Sequence, residues 1–268
     1  ASPTLPAIPL LTAAGYILAE GGASGRLVRF FRALFGWMPG GIAVMVAAVC
    51  ALFTTFTGGS GVTIIALGGL VYPILRDDGY PEGFSLGLVT AAGSLGLLFP
   101  PSLPVILYSV VASVPADSLY LAGLVPGFLL VVLTAAWGVR QGLKLDAEGR
   151  SRPRFSLREL GASFWVAKWE LALPLLVVVL FASGVASMVE AAAAACAYAA
   201  VVECLVTRDI HPIRQLPGVL VKAGALMGAV LLLLSVAMGL TSWLVDAQVP
   251  AALLEWVKTH VSSPLVFL

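Results

Sequence analysis

The sequence predicts an all-α polytopic membrane protein. Hydrophobic residues make up 60% of the 268 residues and charged residues only 11%, with a mean hydropathy of +1.01, which excludes an ordinary soluble globular domain. The apolar residues come in long runs separated by short polar turns, as in membrane-crossing helices. Glycine or proline interrupts two of these runs, at residues 57–63 and 99–104. Because unpaired backbone groups are costly in hydrocarbon, such breaks indicate places that are buried in protein or that line a cavity.

The first segments predict a membrane helix followed by a helix in the interface. Residues 5–19 are apolar and just long enough to cross if the helix is tilted or extended upstream. Arg26, Arg29 and Arg32 then recur every three residues, with apolar residues on the other face. This pattern indicates an amphipathic helix that lies flat in the membrane interface.

The glycine-rich break predicts a re-entrant hairpin. Residues 40–56 are apolar, and the chain resumes after the break as residues 62–75. That second limb has about 14 residues, too few to cross roughly 30 Å of hydrocarbon at 1.5 Å per residue. We therefore expect a hairpin with its tip at Gly58 to Gly61.

The proline-rich break predicts one discontinuous helix. Residues 83–97 run into Pro100 and Pro101, and residues 103–113 continue after them, so neither half spans alone. Residues 119–139 then form an uninterrupted span. It leads into a loop rich in Arg and Lys, residues 140–159, which marks the cytoplasmic side of the membrane.

The remaining segments predict a second interfacial helix and three spans. Residues 156–169 are amphipathic, residues 171–186 and 188–206 cross outward and inward, and residues 216–245 cross outward again. Residues 251–258 form another interfacial helix. Because the order of elements before Pro39 recurs before Pro264 with weaker positive charge, we expect an inverted-topology repeat. Its second hairpin should begin near Pro264 and lie mostly outside these 268 residues.

We divide the chain into four segments. Residues 1–38 are a scaffold helix with the cytoplasmic interfacial helix, and residues 39–118 are one half of a transport domain. Residues 119–216 are connecting spans with the second interfacial helix, and residues 217–268 begin the inverted repeat.

In its order of motifs, the chain resembles the large membrane subunit of TRAP (tripartite ATP-independent periplasmic) transporters, the DctM-like family. The match covers nearly the whole chain, and the order and spacing of the motifs make it specific. The residues that carry it are Gly58 to Thr63, Gly79-Tyr80, Gly93 to Pro104 with Tyr108, Ala122 to Gly127, and Gly184 to Ala192. The sequence departs from the family at residues 184–190, where Pro and Thr usually precede the Glu.

The resemblance implies a multi-pass protein of the bacterial cytoplasmic (inner) membrane. Its function would be the sodium-coupled symport of a small organic acid such as a dicarboxylate, by an elevator mechanism like that of the ion transporter superfamily. The implied partners are a small Q-type membrane subunit and a periplasmic solute-binding protein, in the lipid bilayer and without nucleic acid. The alternative is a channel or structural membrane subunit without ion-coupled transport.

The candidate ion-binding residues are polar or helix-breaking. Hydroxyl oxygens and carbonyls freed by glycine are the hard donors that a desolvated Na⁺, the expected coupling ion, requires. The alternative is that the glycines only permit tight turns or close helix packing. The set is Gly58, Gly59, Ser60, Gly61, Thr63, Ser94 and Gly96, with Na⁺ placed at Ser60, Thr63 and Ser94.

The candidate substrate-binding residues are Pro100, Pro101 and Ser102. The prolines remove two N–H donors, and the new helix N-terminus after them directs a positive dipole at an anion. The alternative is a simple proline kink.

Other polar residues have simpler interpretations. Glu190 is either a functional intramembrane acid or, with Ser187, a capping box, which we favour. His211 and His260 fall at polar edges, and Trp165 and Trp169 are interfacial anchors. The three cysteines do not have metal-binding spacing, and the sequence has no nucleophile, metalloprotease or phosphate-loop motif, so we expect no enzyme activity.

Overall fold

The computed structural model describes residues 6–146 and 155–260, and within these ranges all regular structure is helical. A 3₁₀ turn, Leu95–Leu98, follows α5, and a π-helical turn, Val202–Val206, extends α9. The helices are α1 Ala7–Glu20, α2 Ala23–Phe35, α3 Gly41–Thr57, α4 Ser60–Asp77, α5 Glu82–Ala92, α6 Leu103–Ala112, α7 Ala116–Asp146, α8 Leu157–Ala182, α9 Met188–Val201, α10 Leu216–Asp246 and α11 Val249–His260.

Four helical segments of the described chain are long and apolar enough to cross a membrane. They are Ala116–Leu145, Leu157–Leu180, Met188–Val206 and Leu216–Asp246. A fifth would be the bent pair of Glu82–Leu98 and Leu103–Ala112, bent by 49°, if its two halves are counted as one span. The prediction of an all-helical, multi-pass membrane protein is therefore confirmed. The predicted interruption between the two halves is present, and that they form one crossing helix stays a prediction.

The chain divides into two compact units, Ala1–Gly224 and Ala225–Leu268. The first holds α1 to α9 and the start of α10, and the second holds the rest of α10 with α11. The four segments predicted above, including the inverted repeat, stay predictions. The predicted start of a second hairpin near Pro264 lies outside the described residues.

Two helices are longer than their predicted spans. Helix α7 continues beyond residue 139 to Asp146, and α8 is continuous from Leu157 to Ala182. The sequence predicts a separate interfacial helix before the α8 span, but residues 169–171 are Trp, Glu and Leu, which do not end a helix. The amphipathic stretch is therefore the first part of α8. Helix α8 ends before Gly184, which has a φ of +68°.

Helix α3 lies in the centre of the first unit. Its residues are apolar on every side, as expected for a helix that is surrounded by protein. Met45, Val46, Val49 and Phe53 are all fully buried, and α1, α2, α4 and α7 pack around it.

Helix α7 approaches the start of α3 through two glycines spaced four residues apart. A Cβ on Gly138 would lie 2.5 Å from the Cβ of Ala43, and one on Gly142 would lie 2.6 Å from the nitrogen of Gly40. Small residues at this spacing are how membrane helices bring their backbones together. Gly123 and Gly127 repeat this four-residue spacing nearer the start of α7.

A charge cluster joins α2 to α8 and to the π-helical turn. We use this term for Arg26 with Glu170, Glu203 and Asp209. Arg26 Nε donates to Glu170 Oε1 at 2.5 Å, Nη2 donates to Glu203 Oε1 at 2.7 Å, and Nη1 donates to Asp209 Oδ2. Both glutamates are almost completely buried, with 1% or less of each side chain exposed.

The guanidinium and Asp209 stabilise each other's charged forms. Burial lowers the pKa of Arg26, but the hydrogen bond to Asp209 and the attraction of the two glutamates outweigh it, with a net rise. Burial likewise favours neutral Asp209, but Arg26 shifts the pKa of that carboxyl below its usual value. The spacing in the sequence predicts that Arg26, Arg29 and Arg32 share one basic face, whereas in the structure Arg26 is an internal ion-pair partner.

Removing Arg26 should strongly destabilise the protein. Arg26→Met leaves two buried carboxylates without their cation, which costs about 3 to 5 kcal/mol. Arg29→Met, one turn along α2 at an exposed position, should change stability by about 0.5 kcal/mol or less. Thermal unfolding of the delipidated protein in detergent measures the stability of both variants. Equal melting temperatures would contradict a stabilising role of the charge cluster.

Candidate functional site

The hairpin tip is a two-residue turn between α3 and α4. Helix α3 ends at Thr57, and Gly58 has a φ of +62°, a left-handed conformation that favours glycine. Gly59 is extended, and α4 begins at Ser60. The predicted break at Gly58 to Gly61 is thus a real interruption of the helix, although only Gly58 and Gly59 lie outside the helices.

Three threonine hydroxyls meet below this turn, and we call them the threonine cluster. Thr54 Oγ1 lies 3.0 Å from Thr63 Oγ1, and Thr63 Oγ1 lies 2.8 Å from Thr57 Oγ1. All three residues are fully buried. The cluster therefore joins the last turn of α3 to the first turn of α4.

Backbone carbonyls surround the threonine cluster. Thr54 Oγ1 lies 2.9 Å from the carbonyl oxygen of Gly93 and 2.7 Å from that of Cys50, and Thr57 Oγ1 lies 3.4 Å from that of Gly59. Each hydroxyl carries only one proton, so Thr54 can donate to only one of its neighbours at a time. The cluster consequently has more oxygen acceptors than protons, in a place that solvent does not reach.

The hairpin tip fits between the two halves of the discontinuous helix. On one side, a Cβ on Gly96 would lie 2.7 Å from Thr54 Cβ and 2.8 Å from the nitrogen of Thr55, so the 3₁₀ turn touches α3 closely. On the other side, a Cβ on Gly58 would overlap the side chain of Leu103, the first residue of α6. The two breaks that the sequence marks separately are therefore one structural site.

The predicted ion-binding residues fall into two groups. Gly58, Gly96 and Thr63 lie at the threonine cluster or against it. Ser94 does not join it, since its exposed hydroxyl donates to the carbonyl of Ala91 at 2.8 Å. Ser60 is half-buried at the start of α4, and Gly61 is exposed on the following turn.

The predicted substrate-binding residues lie at the second break, where Tyr120 of α7 holds the backbone. The Ser102 amide donates to Tyr120 Oη at 3.1 Å, and Tyr120 Oη lies 3.1 Å from the Ser102 carbonyl oxygen. The Ser102 hydroxyl donates to the carbonyl of Leu97. Pro100 and Pro101 line one wall of a groove of about 260 Å³, with Tyr120 beside them.

Glu190 caps a helix. Ser187 Oγ accepts a hydrogen bond from the Glu190 amide at 3.3 Å, and the Ser187 amide donates to Glu190 Oε2 at 2.7 Å. The capping-box interpretation is confirmed.

The other singled-out residues lie outside this site. His211 is exposed and accepts hydrogen bonds from the amides of Ile213 and Arg214, while the side chain of His260 is not among those described. Trp165 and Trp169 are exposed, with the Lys168 ammonium 3.6 Å and 4.9 Å from their ring centres. Across the described residues, no group of three His, Cys, Asp or Glu side chains is placed to hold a metal ion.

Sequence reasoning missed Thr54, Thr57 and Tyr120. Thr54 and Thr57 are hydroxyls on an otherwise apolar helix, three residues apart and directly before the glycine break, and that pattern was an available signal. Tyr120 had only a weak signal, because a tyrosine near the end of a membrane span is more often an interfacial anchor.

Comparison with known proteins gives consistent results. The profile of the family described as "Tripartite ATP-independent periplasmic transporter, DctM component" matches residues 1–268. The C4-dicarboxylate TRAP transporter large permease protein DctM of Pseudomonas aeruginosa is 34% identical over 99% of this chain and 61% of its own length. The ectoine/5-hydroxyectoine TRAP transporter large permease protein UehC of Ruegeria pomeroyi is 33% identical over 98% of this chain and 60% of its own. The isethionate TRAP transporter permease protein DctMQ of Oleidesulfovibrio alaskensis is 34% identical over 76% of this chain and 32% of its own.

The chain thus spans about 60% of the length of the first two relatives. The family match covers every residue, and it confirms the resemblance that the order and spacing of the sequence motifs indicate. The chain belongs to the DctM component family of tripartite ATP-independent periplasmic transporters.

Proposed function

We propose that this chain carries one half of the ion and substrate site of a sodium-coupled TRAP transporter large permease. The whole protein would take up a small organic acid across the bacterial cytoplasmic membrane, and it would have no enzyme activity. The observation that carries this proposal is the buried threonine cluster at the meeting point of two helix breaks. In secondary transporters, substrate and coupling-ion sites are built at such discontinuous helices.

The chemistry of the threonine cluster suits a sodium ion. Sodium prefers neutral hydroxyl and carbonyl oxygens as well as carboxylates, and Thr54, Thr57 and Thr63 supply three hydroxyls next to the Gly93 carbonyl. A bound cation would be coordinated by the hydroxyl oxygens and would replace the hydrogen bonds between them. Those hydrogen bonds are limited in number, because each hydroxyl has only one proton. Ser60 and Ser94 stay in the proposed set on the sequence argument alone, since the Ser94 hydroxyl bonds to the Ala91 carbonyl in this structure.

The discontinuous helix would contribute to substrate binding. Residues Pro100 to Ser102 lie between the 3₁₀ turn and α6, and the first turn of α6 directs its dipole towards this gap. The relatives are named for C4-dicarboxylate, ectoine and isethionate, which are small polar organic molecules with an acidic group. A small carboxylate is accordingly the proposed substrate class.

The proposed partners follow from the family. A small membrane subunit and a periplasmic solute-binding protein would work with the permease, and the name of one relative, the isethionate TRAP transporter permease protein DctMQ, combines the letters M and Q. In the proposed elevator motion, the hairpin and the discontinuous helix would move as one body, since Gly96 and Gly58 allow no gap between them. An inverted second repeat would supply the other half of the site.

Replacing Thr63 should weaken the sodium dependence of uptake. Thr63→Val keeps the shape and removes one oxygen, so we expect the half-saturating sodium concentration to rise about tenfold, equivalent to about 1.4 kcal/mol. Thr63→Ser should restore it. Thr90→Val is the matched control, because the exposed Thr90 hydroxyl donates to the Leu86 carbonyl of its own helix.

The measurement is substrate uptake into proteoliposomes by the full-length natural chain with its small subunit and binding protein. An uptake rate that does not change with sodium concentration would favour the channel alternative. A Thr63→Val variant with unchanged sodium dependence would exclude the threonine cluster as the ion site.

Closing the space at Gly96 should damage the site without unfolding the protein. In Gly96→Ala the new methyl group presses on Thr54 and Thr55, so α3 and the 3₁₀ turn must separate and the sodium affinity should fall about tenfold or more. Gly87→Ala, at an open position in α5, should leave uptake unchanged. Size-exclusion chromatography checks folding, and normal sodium affinity in Gly96→Ala would refute the close-approach argument.

A further inference from the structure

A second pocket lies against the amphipathic helix α2. Its volume is about 420 Å³. Residues of α2 and the turn after it form most of the wall, and α4 and α8 complete it. The residues that matter here are Val28, Arg29, Arg32, Trp37, Leu70 and Glu159.

This pocket carries charges of both signs that do not pair with each other. Arg29, Arg32 and Glu159 are exposed, and within residues 6–146 and 155–260 none of them forms an ion pair. Arg26 on the same helix pairs with three carboxylates. Within the described residues, the unpaired arginines of α2 are therefore those that face the pocket. Two guanidinium groups and one carboxylate are thus available to a ligand.

The remaining wall is apolar and aromatic. Val28 is buried beneath the pocket, while Leu70 and Trp37 are 41% and 47% exposed. The indole Nε1 of Trp37 donates to the Leu34 carbonyl at 2.8 Å. The Trp37 ring packs edge-on to the Phe155 ring, with 5.6 Å between the ring centres. A fixed tryptophan beside arginines on an amphipathic helix is typical of the membrane–water boundary.

We propose that this pocket binds the headgroup of a zwitterionic phospholipid whose phosphate is followed by a primary ammonium, as in phosphatidylethanolamine. Arg29 and Arg32 hold the phosphate, since guanidinium groups match phosphate oxygens in geometry and charge. Glu159 holds the ammonium. The apolar wall covers the glycerol and the first methylenes of the acyl chains.

The carboxylate decides between lipid classes. An anionic phospholipid such as phosphatidylglycerol would satisfy the two arginines and leave Glu159 facing a negative headgroup. A zwitterionic headgroup pairs its phosphate with the two arginines and its ammonium with Glu159, so all three charges are satisfied. An anionic headgroup is disfavoured, because it places a negative charge against Glu159. This inference does not depend on the sodium site.

The test uses the full-length natural chain in nanodiscs that contain equal amounts of phosphatidylethanolamine and phosphatidylglycerol. Native mass spectrometry then counts the lipids that remain after detergent extraction. We expect wild type to retain phosphatidylethanolamine preferentially, and Arg29→Gln with Arg32→Gln to lower that retention about fivefold. Arg140→Gln with Arg214→Gln removes the same charge at two exposed sites outside the pocket and should have no effect.

Glu159→Gln separates the lipid classes. It should abolish the preference for phosphatidylethanolamine while phosphatidylglycerol is still retained, and Glu82→Gln, another exposed acid, should change nothing. An unchanged lipid ratio in Glu159→Gln would overturn the zwitterion assignment. Equal retention by wild type and the double arginine variant, or displacement of the lipid by millimolar inorganic phosphate, would overturn the site.

Discussion

The contact between the Thr54 hydroxyl and the Gly93 carbonyl joins the two interruptions of this membrane fold. Each break must be covered by protein or line a cavity, because it leaves backbone groups that hydrocarbon cannot satisfy. At 2.9 Å, this contact places the end of α5 against the last turn of α3, and Thr63 at 3.0 Å extends the connection to α4. Gly96 approaches α3 closely at the same place, and Leu103 lies against the tip.

Two further devices hold that site in the fold. Helix α7 lies against the second break through Tyr120 at Ser102, and it packs against the start of α3 through Gly138. The charge cluster around Arg26 joins α2 to α8 and to the π-helical turn. Because the buried glutamates depend on one guanidinium, this part of the structure is sensitive to a single substitution, whereas the arginines on the exposed face of α2 are free for other roles.

Much of this arrangement could be predicted from the sequence. Hydropathy identified the membrane helices, and the glycine and proline breaks identified the hairpin and the discontinuous helix, because these residues limit backbone geometry locally. What the sequence could not provide was which distant residues meet. Arg26 and Glu203 are 177 positions apart, and Thr54 meets Gly93 across 39 positions, so no periodicity relates them. The sequence also predicts two separate helices where α8 is continuous. A helix-breaking residue would be needed between the amphipathic stretch and the span, and residues 169–171 contain none.

The central proposal is that the threonine cluster is one half of a sodium site, and direct binding tests it without requiring transport. Equilibrium binding of radiolabelled sodium to the purified full-length permease, in detergent and without substrate, measures the site itself. We predict saturable binding to wild type that Thr54→Val lowers to background while Thr90→Val keeps it intact. Saturable binding of equal affinity in wild type and Thr54→Val, or no sodium binding by wild type, would contradict the proposal.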